Sequence, residues 1–331
     1  MKIGVIGSGG WGTALAMVSA SNGHDVRLWS RTPAIVQEIN EQHTNKVFLE
    51  GVQIPKSVVA TQYAEEMYDA DMLVIAVPTQ YIRTVFQHHH FNVQDKLVVN
   101  AAKGIERNTL LRVSQLMKAI QGTHIDEYVM LTGPSHAEEV ARMVPTTVTA
   151  ASVNEDAAKS VQNVFNTPTF RVYRSIDVIG AEIGGALKNV IAIAAGIIDG
   201  LGTGDNTKAA LITRGLTEIA RLGVELGANP MTFSGLSGMG DLIVTCDSKH
   251  SRNRRVGEQI GRGKTLEQIL SETQMVAEGV STTESAYRLA QQHNVEMPIV
   301  EKVYEILFQN KPARQAVTEL MTRESKRENT F

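Results

Sequence analysis

Residues 7–12 read Gly7-Ser8-Gly9-Gly10-Trp11-Gly12, with glycine at the first, third and sixth positions. The apolar run Lys2–Ile6 precedes this Gly-x-Gly-x-x-Gly pattern and the alanine-rich stretch Trp11–Asn22 follows it, so the pattern lies between a predicted strand and a predicted helix. In that context the first glycine permits a tight turn, the second lets a pyrophosphate approach the backbone, and the third allows helix and strand to pack closely. The free N–H groups at the helix start then face the phosphates. The segment therefore predicts a dinucleotide-binding loop rather than a purely structural turn.

The end of the second predicted strand, Leu28-Trp29-Ser30-Arg31, bears on which dinucleotide is bound. Sites selective for NAD commonly place an acidic residue about 20 residues after the glycines, where it binds the ribose 2′-hydroxyl. The sequence has no acid there and has Arg31 instead. Because a guanidinium pairs well with a phosphate, Arg31 predicts that NADPH is accepted and preferred. The alternative is that Arg31 stacks on adenine or points into water.

The rest of the first half alternates β-branched apolar runs with helical stretches. The predicted strands are Lys2–Ile6, Val26–Trp29, Met72–Val77, Lys96–Asn100, Tyr128–Leu131, Thr146–Ala151 and Thr169–Tyr173. The predicted helices are Trp11–Asn22, Pro33–Gln42, Arg107–Lys118 and His136–Arg142. Near-continuous apolar strands are typical of parallel sheets that are buried on both faces. The alternation therefore predicts a doubly wound α/β domain.

After about residue 178, strand signals almost vanish and helical patterns follow one another. They are Ile179–Leu201, Asn206–Leu226, Arg252–Arg262, Thr282–His293, Pro298–Gln309 and Ala313–Arg323. We therefore expect a dinucleotide-binding α/β domain in residues 1–177 and an all-α domain in residues 178–331. The length of 331 residues agrees with two domains, since one domain typically takes roughly 150 residues.

Composition excludes several classes of protein. The hydrophobic fraction of 43% excludes a disordered chain, and the net charge of −3 argues against a nucleic-acid or membrane partner. The single cysteine, Cys246, excludes an internal disulfide and fits a reducing cytosol. The longest apolar run, Val190–Ile198, is much shorter than the roughly 20 residues of a membrane span. We expect a cytoplasmic protein without a bound metal, and a loop at His88-His89-His90.

Two lysines stand in sequence contexts that suit an anionic ligand. Lys103 follows an apolar predicted strand, at the carboxyl end where ligands bind in open α/β sheets. Lys188 lies within a strongly apolar predicted helix, on a face with small residues such as Gly184 and Ala192. A buried lysine loses part of its proton affinity, which suits it to general acid–base catalysis. The alternatives are a solvated Lys103 and a Lys188 that extends to the surface.

A third candidate cluster comprises Gly238-Met239-Gly240-Asp241 and Ser251-Arg252-Asn253-Arg254-Arg255. Ser251 is a suitable N-cap, and a helix start that bears arginine and asparagine suits a phosphate monoester. The alternative is an ordinary solvated run of charges. The sequence has no Tyr-x-x-x-Lys, no Gly-x-x-x-x-Gly-Lys-Ser/Thr and no His-x-x-x-His or Cys-x-x-Cys pair. A thiol mechanism through Cys246 would lack a cation among its neighbours, which favours a buried small residue there.

Five stretches together resemble one enzyme family from end to end. They are Gly7–Ala16, Ala101–Glu106, Leu131–Ala137, Ala186–Val190 and Ser251-Arg252-Asn253, in this order. The sequence resembles the NAD(P)-dependent glycerol-3-phosphate dehydrogenases of the bacterial soluble type. The resemblance implies an N-terminal Rossmann domain followed by a helical domain similar to that of 6-phosphogluconate dehydrogenase.

The resemblance also implies an activity and a set of site residues. The reaction would be reversible hydride transfer between dihydroxyacetone phosphate and NADP(H) or NAD(H), giving sn-glycerol 3-phosphate for phospholipid synthesis. Lys188 would accept the proton when the alcohol is oxidised. The substrate contacts would be Lys103, Gly133, Ser135, Lys188, Asp241, Ser251, Arg252 and Asn253. The cofactor contacts would be Gly7, Ser8, Gly9, Gly10, Trp11, Gly12, Arg31, Lys103, Ala137, Arg252, Val276 and Glu278.

Two other classes remain open from the sequence. A related β-hydroxyacid dehydrogenase, acting on a carboxylate substrate, would share the two-domain plan and a helix lysine. A non-catalytic dinucleotide sensor would retain the glycines but would need neither Lys188 nor an anion site at a helix start. The apolar faces of the helical half also leave room for a homodimer contact.

Overall fold

The computed structural model describes residues 1–272, 277–325 and 327–328, and the first half of the chain forms an eight-stranded sheet. The strands are β1 (Lys2–Ile6), β2 (Asp25–Trp29), β3 (Val58–Thr61), β4 (Met72–Ile75), β5 (Leu97–Asn100), β6 (Tyr128–Thr132), β7 (Thr146–Ala151) and β8 (Phe170–Ser175). Their order across the sheet is β3-β2-β1-β4-β5-β6-β7-β8. Neighbouring strands are parallel except β6 and β7, which are antiparallel.

Helices connect these strands and cover both faces of the sheet. They are α1 (Gly10–Ser21), α2 (Pro33–Gln42), α3 (Ile82–His89), α4 (Val113–Gln121), α5 (Ala137–Ala141) and α6 (Glu155–Phe165). Successive strand side chains point to opposite faces. Val5 therefore belongs to the core that contains Leu15 of α1, whereas Ile6 belongs to the core that contains Phe86 of α3.

The second half of the described chain is helical. Its helices are α7 (Val178–Leu201), α8 (Asp205–Glu225), α9 (Asp241–Asp247), α10 (Arg252–Gly261), α11 (Leu266–Glu272), α12 (Glu278–Gln292), α13 (Pro298–Phe308) and α14 (Ala313–Met321). Helix α7 lies at the centre of this helical half, because its residues are buried from Gly180 to Ile198. By length and composition α7 could cross a membrane, but its most apolar window is entirely buried within the protein.

Helices α7 and α10 touch through their backbones. A Cβ atom on Gly196 of α7 would lie 1.9 Å from the carbonyl oxygen of Arg254. A Cβ atom on Gly257 of α10 would lie 1.9 Å from the carbonyl oxygen of Ile193. Only glycine allows these two helices to approach so closely, and the contact fixes the start of α10 relative to the middle of α7.

The predicted class, a Rossmann-type α/β domain followed by an all-α domain, is confirmed, with two differences in the sheet. Strand β3 (Val58–Thr61) was not predicted, because it lies at the edge of the sheet and polar residues flank its short apolar run. The antiparallel pairing of β6 with β7 departs from the parallel sheet that the apolar runs indicated. Apolar content reports burial on both faces, and it does not report strand direction.

Some helix predictions need correction. The helix predicted at Arg107–Lys118 begins only at Val113, because a turn closed by Glu106 N–H to Leu111 O occupies the preceding residues. The predicted loop at His88-His89-His90 was wrong for its first two residues, which end α3, while His90 is its left-handed C-cap. Helix α12 begins at Glu278 rather than Thr282, since its first turn is too polar to show an apolar stripe.

Candidate active site

The loop after β1 has an open backbone. Gly7 has φ +116°, which favours glycine, and a Cβ atom on Gly12 would lie 1.9 Å from the carbonyl oxygen of Gly7. A Cβ atom on Gly9 would have no atom within 4 Å. Helix α1 begins at Gly10, so its free N–H groups face this open space. The loop therefore fits a pyrophosphate.

Three of the predicted cofactor contacts, Ser8, Trp11 and Ala137, lie at this loop. Ser8 Oγ donates a hydrogen bond to Ser30 Oγ at 2.6 Å, which ties the loop to the end of β2. A Cβ atom on Gly10 would lie 3.4 Å from Cβ of Ala137, at the start of α5. The indole Nε1 of Trp11 is buried and has no hydrogen-bond partner among the described residues. An unpaired buried donor beside an open glycine loop is consistent with a polar ligand at this place.

Lys188 is buried at the carboxyl edge of the sheet. Its Nζ donates to Asp241 Oδ1 at 2.5 Å and to Thr245 Oγ1 at 2.8 Å, and both partners lie on α9. Only 7% of Lys188 is exposed, so the alternative of a lysine that extends to the surface was wrong. The side chain points into the interface between the sheet and the helices.

Lys103, just past β5, shares the same carboxylate. Its Nζ donates to Asp241 Oδ2 at 2.8 Å and to the carbonyl oxygen of Gly133 at 3.0 Å, and Ser135 Oγ lies 3.4 Å away. The two lysines thus come from the two halves of the chain and meet on one aspartate. Four of the predicted substrate contacts lie together with Lys188.

Burial and charge shift the pKa values of this cluster. The pKa of Lys188 is lowered to about 8, chiefly by burial and also by the like charge of Lys103, while Asp241 opposes the shift. Burial alone would raise the pKa of Asp241, but Lys103 and Lys188 outweigh it, so this pKa lies below its ordinary value. Asp241 is therefore ionised at neutral pH, and Lys188 is mostly protonated there but gives up its proton at a lower pH than an ordinary lysine.

A buried carboxylate anchors α7 to the sheet domain. Glu182 accepts hydrogen bonds from Ser114 N–H at 2.7 Å, from Ser114 Oγ at 2.8 Å and from Tyr128 Oη at 2.7 Å. It also forms an ion pair with Arg112. Because Glu182 precedes Lys188 on the same helix, this anchor fixes both the height and the rotation of the lysine.

The start of α10 forms a second polar centre. Ser251 caps the helix by accepting from Arg254 N–H at 3.2 Å, as predicted. Asn253 Nδ2 donates to Asn189 Oδ1 at 2.9 Å, and Asn189 Nδ2 donates to the carbonyl oxygen of Lys103 at 3.2 Å. Asn253 is buried, while Arg252 is exposed. This chain of amides connects the helix start to the backbone of Lys103, through the residue that directly follows Lys188.

Glu278 joins the helical domain to the sheet domain. Its Oε1 accepts a hydrogen bond from Thr79 N–H at 3.0 Å, and the next residue, Gly279, donates its N–H to Asn253 Oδ1 at 2.9 Å. Burial raises the pKa of Glu278, although the Thr79 N–H and the charge of Arg252 oppose this. The other cofactor contact predicted in this region, Val276, lies outside the described residues.

Sequence reasoning missed two residues that contact the lysines. Thr245 lies four residues after Asp241, a spacing that puts both on one helix face. Asn189 directly follows Lys188, and only its partners show its importance. Cys246 is buried and burial raises its pKa to about 12, which excludes a thiolate nucleophile. Among the described residues, no group of three or more His, Cys, Asp or Glu side chains could hold a metal ion.

An open α/β sheet with a glycine loop, and a buried lysine–carboxylate pair supplied by a helical second domain, define a dinucleotide-dependent oxidoreductase. Two family models match the chain. The one described as NAD-dependent glycerol-3-phosphate dehydrogenase N-terminus matches residues 2–158, and its C-terminus counterpart matches residues 177–318. The chain belongs to the NAD-dependent glycerol-3-phosphate dehydrogenase family, whose members act on glycerol 3-phosphate and dihydroxyacetone phosphate with NAD(P).

Individual relatives agree with this assignment. The chain is 52% identical over 330 residues to glycerol-3-phosphate dehydrogenase [NAD(P)+] of Bacillus cytotoxicus, covering 99% of this chain and 97% of that protein. It is 50% identical over 331 residues to the enzyme of the same name from Chlorobium limicola, covering 99% of each. The crystal structure of glycerol-3-phosphate dehydrogenase from Coxiella burnetii matches with a TM-score of 0.91 at 35% identity, covering 97% of this chain and 99% of that one.

Proposed function

We propose that Lys188 is the general acid and base of a reversible reduction of dihydroxyacetone phosphate to sn-glycerol 3-phosphate. The observation that carries the proposal is the 2.5 Å contact between Lys188 Nζ and Asp241 Oδ1 in a buried site at the carboxyl edge of the sheet. A buried lysine with a pKa of about 8 exchanges a proton readily near neutral pH.

The cofactor binds along the glycine loop. The residues proposed to hold it are Gly7, Ser8, Gly9, Gly10, Trp11, Gly12, Arg31, Lys103, Ala137, Arg252, Val276 and Glu278. When bound, the nicotinamide supplies or accepts the hydride. Arg31 is exposed beyond β2, which supports a contact with the 2′-phosphate and a preference for NADPH.

Lys188 acts on the oxygen of the reacting carbon. That oxygen gains negative charge as the ketone is reduced, and an ammonium group both stabilises the charge and delivers the proton. In the reverse direction the neutral amine removes the proton from the alcohol. Lys103 adds a second positive charge on the other side of Asp241, and the charge of this aspartate offsets part of the repulsion between the two ammonium groups.

The substrate phosphate binds at the start of α10. Ser251, Arg252 and Asn253 supply a helix N-terminus, a guanidinium and an amide, all of which suit a phosphate dianion. Gly133, Ser135 and Asp241 complete the proposed substrate contacts. Binding energy from the phosphate is remote from the reacting carbon, and it can orient the carbonyl toward Lys188.

In this proposal residues 1–177 form the cofactor-binding domain. Residues 178–331 carry Lys188 and the phosphate site, and they add Arg252, Val276 and Glu278 to the cofactor site. The product serves phospholipid synthesis in the cytoplasm, with neither nucleic acid nor membrane as a partner. A homodimer is the proposed assembly, formed through apolar faces of the helical domain.

The experiment compares oxidation of NADPH and of NADH by the purified protein, with dihydroxyacetone phosphate and, separately, with 3-keto acids as substrate. We expect turnover with dihydroxyacetone phosphate, and a higher kcat/KM with NADPH. Turnover of the keto acids alone would favour a β-hydroxyacid dehydrogenase. Binding of the dinucleotide without any turnover would indicate a sensor.

A further inference from the structure

Two loops flank the glycine loop at the carboxyl edge of the sheet. Because β1 lies between β2 and β4 and all three are parallel, their carboxyl ends lie side by side. Arg31 follows β2 by two residues, and Tyr81 follows β4 after a short turn. Neighbouring strands are about 4.8 Å apart, so β2 and β4 are roughly 10 Å apart, with the glycine loop between them.

The side chains of Arg31 and Tyr81 extend toward each other across this gap. The guanidinium carbon of Arg31 lies 5.9 Å from the centroid of the Tyr81 ring, within the range of a cation–π interaction. Both side chains are accessible, Tyr81 with 44% of its surface exposed. A ligand on the glycine loop therefore meets both.

The backbone on each side of the contact is fixed. Ser30 Oγ accepts hydrogen bonds from Ser8 Oγ at 2.6 Å and from Thr32 N–H at 3.2 Å. These bonds hold the residues on both sides of Arg31. Tyr81 N–H donates to the carbonyl oxygen of Pro78 at 2.9 Å. The remaining freedom of Arg31 is in its long side chain, which loses rotamer entropy when it binds a ligand.

The positive charge of Arg31 is also available to bind an anion. Within the described part of the chain, its guanidinium forms no ion pair with a carboxylate. The aromatic ring attracts the cation without neutralising it, and the guanidinium N–H groups in its plane stay able to donate to an anion.

We propose that Tyr81 is a specificity-determining residue, which holds the Arg31 guanidinium ready for the adenosine 2′-phosphate. The inference rests on the proposed role of Arg31 in the preference for NADPH. Tyr81 restricts the arginine before the ligand arrives, so less entropy is lost on binding. A ligand that lacks the 2′-phosphate gains nothing from this restriction.

The test measures binding of two half-cofactors by isothermal titration calorimetry. Adenosine 2′,5′-bisphosphate carries the 2′-phosphate and 5′-AMP lacks it, and neither contains the reacting nicotinamide. The Kd of 5′-AMP divided by the Kd of the bisphosphate gives a Kd ratio, which is larger when the 2′-phosphate is bound more strongly. This ratio is measured for the wild-type protein and for Arg31→Ala, Tyr81→Phe and Tyr81→Leu. Tyr81→Phe keeps the ring and is the matched control for Tyr81→Leu, which removes it. Thermal unfolding reports whether each variant is folded.

We expect the wild-type protein to bind the bisphosphate more tightly. Arg31→Ala should reduce the Kd ratio by about tenfold or more, since charge-assisted hydrogen bonds to the phosphate are lost. Tyr81→Leu should reduce it by about two- to fivefold, the size of an exposed cation–π contact, and Tyr81→Phe should leave it unchanged.

An unchanged or increased ratio in Tyr81→Leu, with a reduced ratio in Arg31→Ala, would overturn the inference and leave the role of Arg31 intact. An equal ratio in the wild type and in Arg31→Ala would overturn both. The reduction of dihydroxyacetone phosphate is assayed separately with NADH, so the proposed reaction is judged independently of either result.

Discussion

Asp241 at the start of α9 binds Lys188 of α7 through one carboxylate oxygen, at 2.5 Å. Its other oxygen accepts a hydrogen bond from Lys103 of the sheet domain at 2.8 Å. The proton affinity of Lys188 thus depends on a carboxylate that is shared between the two domains.

Lys188→Ala should lower kcat for reduction of dihydroxyacetone phosphate by about 10²-fold or more, the range for loss of a general acid. Lys188 is not among the residues proposed to contact the cofactor, so the Kd for NADPH should change little. Steady-state kinetics and a fluorescence titration of NADPH measure the two quantities. Wild-type turnover in this variant would remove Lys188 from its proposed role.

Asp241→Asn should move the pH dependence of reduction to lower pH. Lys188 must be protonated to donate, so kcat/KM for the wild-type enzyme should fall as pH rises through its pKa of about 8. Asp241 opposes the lowering of that pKa, and its neutralisation should therefore lower the pKa of Lys188 further. Profiles of kcat/KM from pH 6 to 9 measure the shift.

The matched control for this shift is Thr245→Val. This variant removes the other hydrogen bond of Lys188 Nζ without removing a charge. The pH at which its kcat/KM falls should therefore shift less than in Asp241→Asn. A profile for Asp241→Asn that superimposes on that of the wild type would contradict the coupling.

Arg252→Ala should mainly raise KM for dihydroxyacetone phosphate. The guanidinium is proposed to bind the phosphate, which is remote from the reacting carbon. Arg255→Ala is the control, because Arg255 is an exposed arginine on the same helix. If KM were the same for Arg252→Ala and Arg255→Ala, the phosphate would have to bind elsewhere.

Glu218→Gln should make stability less dependent on pH. Glu218 is buried on α8 and accepts N–H bonds from Ile299 at 2.8 Å and Val300 at 3.2 Å, at the start of α13. Burial raises its pKa to about 8. Between its unfolded value of about 4.5 and pH 8 the folded state holds the extra proton, so this group's contribution to stability falls as pH rises.

The measurement is Tm against pH for the wild type, for Glu218→Gln and for Glu225→Gln, a more exposed glutamate on the same helix. The wild type and Glu225→Gln should lose Tm between pH 5 and 8 more steeply than Glu218→Gln. Parallel curves for all three proteins would show that Glu218 does not titrate in this range.

Local patterns predicted much of this molecule from its sequence. The glycine loop, the long apolar helix around Lys188 and the Ser251 cap each depend on residues close together in the chain, and spacing reveals such features. Spacing does not reveal that Asp241 is shared by two lysines, because its partners Lys188 and Lys103 are 53 and 138 residues away in the chain. Strand direction at β7 arises only when the sheet assembles, and the amide link through Asn189 arises only when the two domains pack together.

The glycine contact between α7 and α10 has a consequence for the length of the substrate. Lys188 lies on one of these helices and the residues proposed to bind the phosphate begin the other, and Gly196 and Gly257 hold their backbones in contact. In the part of the chain that the structure describes, the two backbones meet at Gly196 and Gly257 with no side chain between them that could move aside for a larger molecule. We therefore expect a fixed span from carbonyl to phosphate, which admits a three-carbon ketose phosphate and rejects sugars whose carbonyl lies one or more carbons further away.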